Sequence, residues 1–266
     1  MSRYAKQSGA LHEVTERYAK VNGVWQQVTA RYVKQNGAWN QVYSSGKKLS
    51  DLPVGSLLKI NESGVPQQYI IVNQGNPDAS IYDASCNGTW VLREEIYNNQ
   101  VLDYGTGYDY STFPINTYFN TTFKDLLNVS PKLVKIPWAD GHDPSVIHTG
   151  GDGLSVYAFL LSGYEVGYTQ QASTYIPIDG IKLSYFGYFT DESSYDGRVA
   201  YLNGTATEWW LRSRYLVGSN FWYIQTNGQM GKKSTAFSLG IRPAMILNST
   251  ALVSSSPDSD NCYTLQ

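Results

Sequence analysis

Few side chains in this sequence are spaced for chemistry. Glu165, Glu208 and Asp152 are carboxylates that could act as an acid or a base, yet they form no constellation. Glu165 has no second carboxylate, nucleophile or histidine near it in sequence, and acid–base catalysis needs such partners in one cleft. His142 and His148 share the glycine-rich loop 139–153 with Asp140, Asp143 and Asp152. That mixture could suggest a metal site, but its spacing fits no standard ligand pattern, and Asp, His and Gly in a loop ordinarily serve turns. Cys86 and Cys262 stand 176 positions apart, with neither a disulfide framework nor a metal spacing. The expectation is two packed, free thiols, no catalytic residue, no metal and no cofactor.

The residues that could do binding chemistry are concentrated instead. Trp209-Trp210-Leu211-Arg212-Ser213 and Gly240-Ile241-Arg242-Pro243-Ala244-Met245-Ile246-Leu247 each hold one arginine in an apolar run of strand-like length. Pro243 and flanking turn residues favour strands over helices. Arginines in a core need acceptors, and Glu165, a lone carboxylate in the apolar run Tyr157–Gly167, is the first candidate partner for Arg212 or Arg242. Between the two runs, segment 214–239 turns aromatic, amide- and hydroxyl-rich. Its expected ligand-contacting residues are Tyr215, Ser219, Asn220, Trp222, Tyr223, Gln225, Asn227, Gln229, Lys232, Lys233, Ser234, Thr235 and Phe237. Aromatic anchors beside adaptable Ser, Asn and Gln, carried between rigid strands, are how a recognition surface is often built.

Composition supports that reading. Charged residues make up 16% and aromatics 14%, with 22 tyrosines, a balance that leans towards a β-rich protein facing the outside of a cell or particle. The net charge of −2 implies no broad field for nucleic acid. No apolar run approaches the length of a membrane span. The start, Met1-Ser2-Arg3-Tyr4-Ala5-Lys6, has no apolar core of a signal peptide. Export as part of an assembled virion would reconcile an outward-facing surface with that start.

Stepping outward, residues 3–44 hold a repeat. Arg3-Tyr4-Ala5-Lys6, Arg17-Tyr18-Ala19-Lys20 and Arg31-Tyr32-Val33-Lys34 recur with a period of 14. Asn22-Gly23 and Asn36-Gly37 are strong type I′ turn pairs. Centring the turn on Asn22-Gly23 predicts Val21 opposite Val24, Lys20 opposite Trp25 and Tyr18 opposite Gln27, in a meander of three hairpins. Hairpins this short are marginal alone, so residues 1–46 are expected to be an attachment or oligomerisation module. The main domain, 47–248, is expected to open with strands at Leu57–Ile60, Tyr69–Val72 and Trp90–Leu92. A helical stripe follows at Ile115, Tyr118, Phe119, Phe123, Leu126 and Leu127, capped by Ser111 or Thr112. Leu133–Ile136 and Tyr157–Gly167 are expected as further strands. Residues 249–266 form a polar tail expected to wander.

Over about three quarters of the chain, five stretches resemble an uncharacterised lectin-like family common in phages and prophages of gut Firmicutes. They are Tyr82-Asp83-Ala84-Ser85-Cys86-Asn87-Gly88-Thr89-Trp90, Leu160–Gly167, Ala200–Ala206, Trp209–Ser213 and Gly240–Ala244. Arg214 stands where that family usually has proline. The N-terminal repeats resemble those of tail-fibre and baseplate-associated phage proteins. The resemblance implies an α+β, C-type-lectin-like domain behind a small all-β repeat module. Its variable ligand surface would lie at about 214–239. It also implies a tail-associated, often trimeric receptor-binding protein, with a bacterial surface protein or glycan as receptor and other tail proteins held through residues 3–44. Neither calcium-lectin triplet, Glu-Pro-Asn or Gln-Pro-Asp, occurs. The cysteine and metal pattern of the related formylglycine-generating enzymes is not matched either, so a non-enzymatic adhesin is expected. A structural baseplate or decoration protein is the alternative, and a wall-degrading or formylglycine-generating-type enzyme a further one.

Overall fold

The computed structural model describes residues 4–7, 10–13, 18–21, 23–28, 30–35, 38–44, 46–103, 108–190, 192 and 195–266. Arg3, Arg17, Asn22 and Asn36-Gly37 lie outside the described residues.

The repeats form three two-stranded hairpins: Tyr4–Gln7 with Ala10–Glu13, Tyr18–Val21 with Val24–Gln27, and Ala30–Gln35 with Ala38–Ser44. The register of the second is the one the turn position predicts, with Tyr18 opposite Gln27 and Lys20 opposite Trp25. Gly23 takes a φ of +82°, as such a turn requires. Each pair stands as its own sheet. In the second hairpin Tyr18, Val24 and Trp25 are all exposed, Trp25 by 66%.

Two larger sheets build the main body. One runs in the order Ala158–Phe159, Ala244–Leu247, Thr89–Arg93, Val65–Gln74, Leu57–Glu62, Cys262–Thr264. The other runs Asn98–Gln100, Leu239–Ile241, Trp209–Arg214, Asn220–Ile224, Met230–Ser234. Side chains alternate across a strand, and here both faces are covered. Ile70, Val72, Trp90, Leu92, Trp209, Leu211, Trp222 and Ile224 pack into one core. Tyr69, Ile71, Val91, Trp210, Phe221, Tyr223, Leu239 and Ile241 pack into a second. Strands buried on both faces read as continuous apolar runs rather than as alternation, which is why these runs were legible as strands.

The α+β, C-type-lectin-like expectation is corrected. Strand accounts for 35% of the structure and helical segments for 13%, distributed over several sheets, so the protein is mostly β. The predicted stripe forms the one substantial helical stretch among the described residues, Pro114–Leu126, with a π turn at Phe119–Phe123. It buries Ile115, Phe119 and Phe123 in the second core. Neither Ser111 nor Thr112 caps it: Phe113 holds that position, Pro114 follows, and Asp109 instead caps the preceding single turn through the Ser111 amide at 2.8 Å.

Two other expectations fail. Tyr157–Gly167 is a strand only at Ala158–Phe159; beyond it the chain leaves the sheet in turns, with the Val166 amide bonded to the Ser162 carbonyl at 3.2 Å. Nor does the C-terminal segment wander. Leu252–Val253 pairs with Lys47–Lys48, and Cys262–Thr264 adds a parallel edge strand to Leu57–Lys59. Lys59 reaches Asp258 at 2.6 Å and Asp260 at 2.5 Å, which anchors that return. Both cysteines are free and buried.

Candidate functional site

From Leu160 to Val199 the described residues are almost all turn and coil. Irregular backbone carries carbonyls that no neighbouring strand satisfies, and buried arginines supply the donors. Arg212 donates from Nη1 to the Leu160 carbonyl at 2.9 Å, from Nη2 to that of Asp179 at 2.9 Å, and from Nε to that of Pro137 at 3.1 Å. It also forms a fork with Glu165, at 2.5 and 2.7 Å. Glu165 accepts further bonds from the Tyr82 hydroxyl at 2.9 Å and the Ser162 amide at 2.9 Å. Arg198 repeats the device, donating from Nε to the Val166 carbonyl at 2.6 Å and from Nη2 to that of Gly187. Arg212, Arg242 and Glu165 are thus all buried, and Glu165 belongs to Arg212, not to Arg242. Asp179 is buried beside this pair and accepts from Ser213 Oγ. Burial raises its pKa to about 6.

The loops so held form a ring-lined groove against the Asn220–Ile224 and Met230–Ser234 hairpin. One part, about 370 Å³, is walled by Tyr168, Phe189, Tyr195, Trp222 and Met230, with Ser173 and Gln229 at its polar edge. A neighbouring part, about 440 Å³, shares Phe189 and adds Tyr164, Gln170, Gln171 and Tyr188. The rings are fixed. Tyr168 stacks on Phe189 with centroids 5.9 Å apart and donates its hydroxyl to the Gly228 carbonyl at 2.8 Å. The Tyr195 hydroxyl donates to the Phe189 carbonyl at 3.0 Å. The Arg198 guanidinium lies 4.8 Å over the Tyr168 ring, while burial pushes the Tyr168 phenol up to about 12. The Trp222 indole nitrogen is buried with no hydrogen-bond partner.

The sequence-predicted ligand residues are placed unevenly. Only Trp222 and Gln229 line the groove. Trp222 is 6% exposed and Tyr223 7% exposed, and they face different cores because they are consecutive in one strand. Neither therefore stands out as a free anchor. Tyr215 is buried against Trp222, with centroids 5.2 Å apart, and Lys232 lies 4.0 Å over its ring. Ser219 and Asn220 are half-buried at one turn. Gln225, Asn227 and Gln229 form the other turn, where the Gln229 amide bonds to Asn227 Oδ1 at 3.1 Å. Lys233 pairs with Glu208 and covers the Tyr223 ring. Ser234 is half-buried, Thr235 is buried, and Phe237 is exposed. Segment 214–239 is therefore a hairpin of the five-stranded sheet rather than a free loop. Arg214, the departure from the resembled pattern, donates to the carbonyls of Gly141 and Gly218 and so ties that hairpin to the 139–153 loop.

That loop gathers no cation site. Asp140 accepts from the His142 and Asp143 amides and meets His148 Nε2 at 3.2 Å. The two amide bonds and His148 hold its carboxyl down at about 2. Among the described residues no three His, Cys, Asp or Glu side chains are arranged to hold a metal ion. Residues missed in the sequence are Tyr168, Phe189 and Tyr195. The available signal was the density of tyrosine and phenylalanine through 164–195.

The fold and groove define a mostly β protein whose irregular loops are fixed by buried arginines and present an aromatic depression. Residues 87–249 match the family described as a domain of unknown function (DUF6273), and the chain belongs to that family. No curated protein and no solved structure matches it.

Proposed function

We propose that the protein is a tail-associated receptor-binding protein of a phage or prophage, a non-enzymatic adhesin that holds a bacterial surface protein or glycan in the aromatic groove. The observation that carries this reading is the groove itself. Four fixed rings, Tyr168, Phe189, Tyr195 and Trp222, face one depression with an amide and a hydroxyl at its edge. Rigid rings contribute contact area with few torsions to freeze, and amide and hydroxyl groups adapt their hydrogen bonds to the ligand. The N-terminal hairpins would attach the protein to other tail components or to its trimer mates. The exposed Tyr18, Val24 and Trp25 on two-stranded units support that role. Many copies on one particle would raise avidity above that of a single weak site.

The same hairpins equally favour a second reading, a structural baseplate or decoration protein. Binding of the fluorescently labelled protein to panels of intact bacteria separates the two. The adhesin reading expects saturable binding to some strains, lost on Tyr188→Ala with Gln229→Ala. The structural reading expects binding to particles and none to cells.

A further inference from the structure

A separate cavity of about 480 Å³ is bounded by Gln68, Glu94, Glu95, Tyr185, Asp196 and Arg242. Arg242 is 2% exposed. Its Nε donates to the Arg93 carbonyl at 2.7 Å and its guanidinium lies 5.2 Å over the Trp209 ring. Its Nη1 is buried with no partner. This sets it apart from Arg93, which meets Glu62, Gln67 and the carbonyls of Glu95 and Ile96, and from Arg212, which is fully engaged. Glu94 also lines the cavity, close enough to favour the Arg242 charge, and its Oε2 is likewise buried without a hydrogen-bond partner. No ion pair joins the two. Buried charged groups left unpaired are costly, so an orphaned donor and an orphaned acceptor on one cavity read as two halves of a site.

The balance of the walls selects the ligand. Three carboxylates, Glu94, Glu95 and Asp196, stand against one guanidinium, which disfavours an anion and favours a ligand that brings a cation. Arg242 offers donors only and demands an oxygen acceptor. The volume suits a monosaccharide or a dipeptide. We propose that this cavity is a second binding site, independent of the aromatic groove, for a small ligand carrying a primary ammonium beside an oxygen acceptor, with Glu94 taking the ammonium and Arg242 the acceptor. An amino sugar and the amino end of a peptide share that chemistry.

Calorimetric titration of the full chain with glucosamine, N-acetylglucosamine and alanyl-alanine tests it. Saturable binding of glucosamine or of the dipeptide is expected, and which of them binds identifies the source. N-acetylglucosamine, whose amine is blocked, should bind at least about tenfold more weakly than glucosamine, because a charge-assisted bond is lost. Glu94→Gln keeps the shape and removes the charge, so it should weaken the bound probe about tenfold. Glu94 also supports the charge of the buried Arg242, so the variant's thermal midpoint should fall somewhat, and the titration is run well below it. The proposal is overturned if neither ammonium-bearing probe saturates up to about 10 mM, weaker than any useful site. It is equally overturned if the acetylated sugar binds as well as glucosamine, or if Glu94→Gln leaves binding unchanged.

Discussion

Replacing Glu165 by glutamine probes the framework that holds the groove loops. The carboxylate is fully buried and takes four bonds: two from Arg212, at 2.5 and 2.7 Å, and one each from the Tyr82 hydroxyl and the Ser162 amide, both at 2.9 Å. Glutamine fills the same volume, so no cavity opens. Its NH2 must nevertheless face either Arg212 Nη1 with the Ser162 amide, or Arg212 Nη2 with the Tyr82 hydroxyl. Tyr82 cannot simply turn, because its oxygen already accepts from the Ile181 amide at 3.0 Å. Either way donors meet donors, and Arg212 keeps only Asp179 as a nearby anion. Removing one partner of a buried pair costs about 3–5 kcal/mol. At about 2–4 °C per kcal/mol for a chain of this size, the melting midpoint should fall by roughly 6–20 °C. Thermal unfolding followed by near-ultraviolet circular dichroism measures this directly, because Trp90 packs edge-on against Tyr82. Asp125→Asn, which breaks the exposed pair with Lys124, serves as control and should cost no more than about 1 kcal/mol. A shift for Glu165→Gln no larger than the control's would refute the claim that this ion pair organises the loops.

Other outcomes follow from the same packing. Asp179 has its pKa raised from 3.8 to about 6 in the folded state. The native protein then binds more protons than the unfolded chain between those values, so stability declines as pH rises from about 4 to 6, by up to about 3 kcal/mol. Guanidinium titrations at several pH values should show Asp179→Asn gaining on the wild type across that window; a constant difference would contradict the assignment. Gly228 has a φ of +80°, and a Cβ there would lie 2.2 Å from the Tyr195 carbonyl oxygen. Gly228→Ala should cost more than about 1 kcal/mol and disturb the groove wall, whereas unchanged melting would show that the turn relaxes freely. Trp222→Ala should cost about 3–5 kcal/mol as a core truncation, visible in urea unfolding, so loss of binding in that variant alone would not be diagnostic.

How far the sequence could be read depended on whether a signal was local. The Asn22-Gly23 turn fixes its own register, and Lys20 opposite Trp25 follows from it. The run Tyr69–Val72 and the run Trp209–Ser213 carry enough apolar residues on both faces to declare buried strands. That Glu165 pairs with a buried arginine was legible because apolar stretches around each leave few other partners, but the choice of Arg212 over Arg242 came only from the packing. Trp222 and Tyr223, expected as ligand contacts, sit in Phe221-Trp222-Tyr223-Ile224, which is the same kind of continuous run. The polar composition of 214–239 as a whole hid that run, and the packing puts Trp222 in one core and Tyr223 in the other. The return of Cys262–Thr264 to Leu57–Lys59 joins positions far apart in the chain, and no local pattern announces it. The groove lay hidden for a similar reason: Tyr168, Phe189 and Tyr195 come from coil whose course is set by Arg198 and Arg212 rather than by any periodicity.

Whether the groove recognises a cell surface is tested most directly by equilibrium binding of the labelled protein to intact gut bacteria, wild type beside the Tyr188→Ala, Gln229→Ala double variant. Tyr188 and Gln229 are both exposed, so the variant should melt within about 1 kcal/mol of the wild type. The account predicts saturable wild-type binding to a subset of strains and a loss of at least tenfold in the equally stable variant. Binding of both proteins with the same affinity, or of neither to any strain, would contradict it.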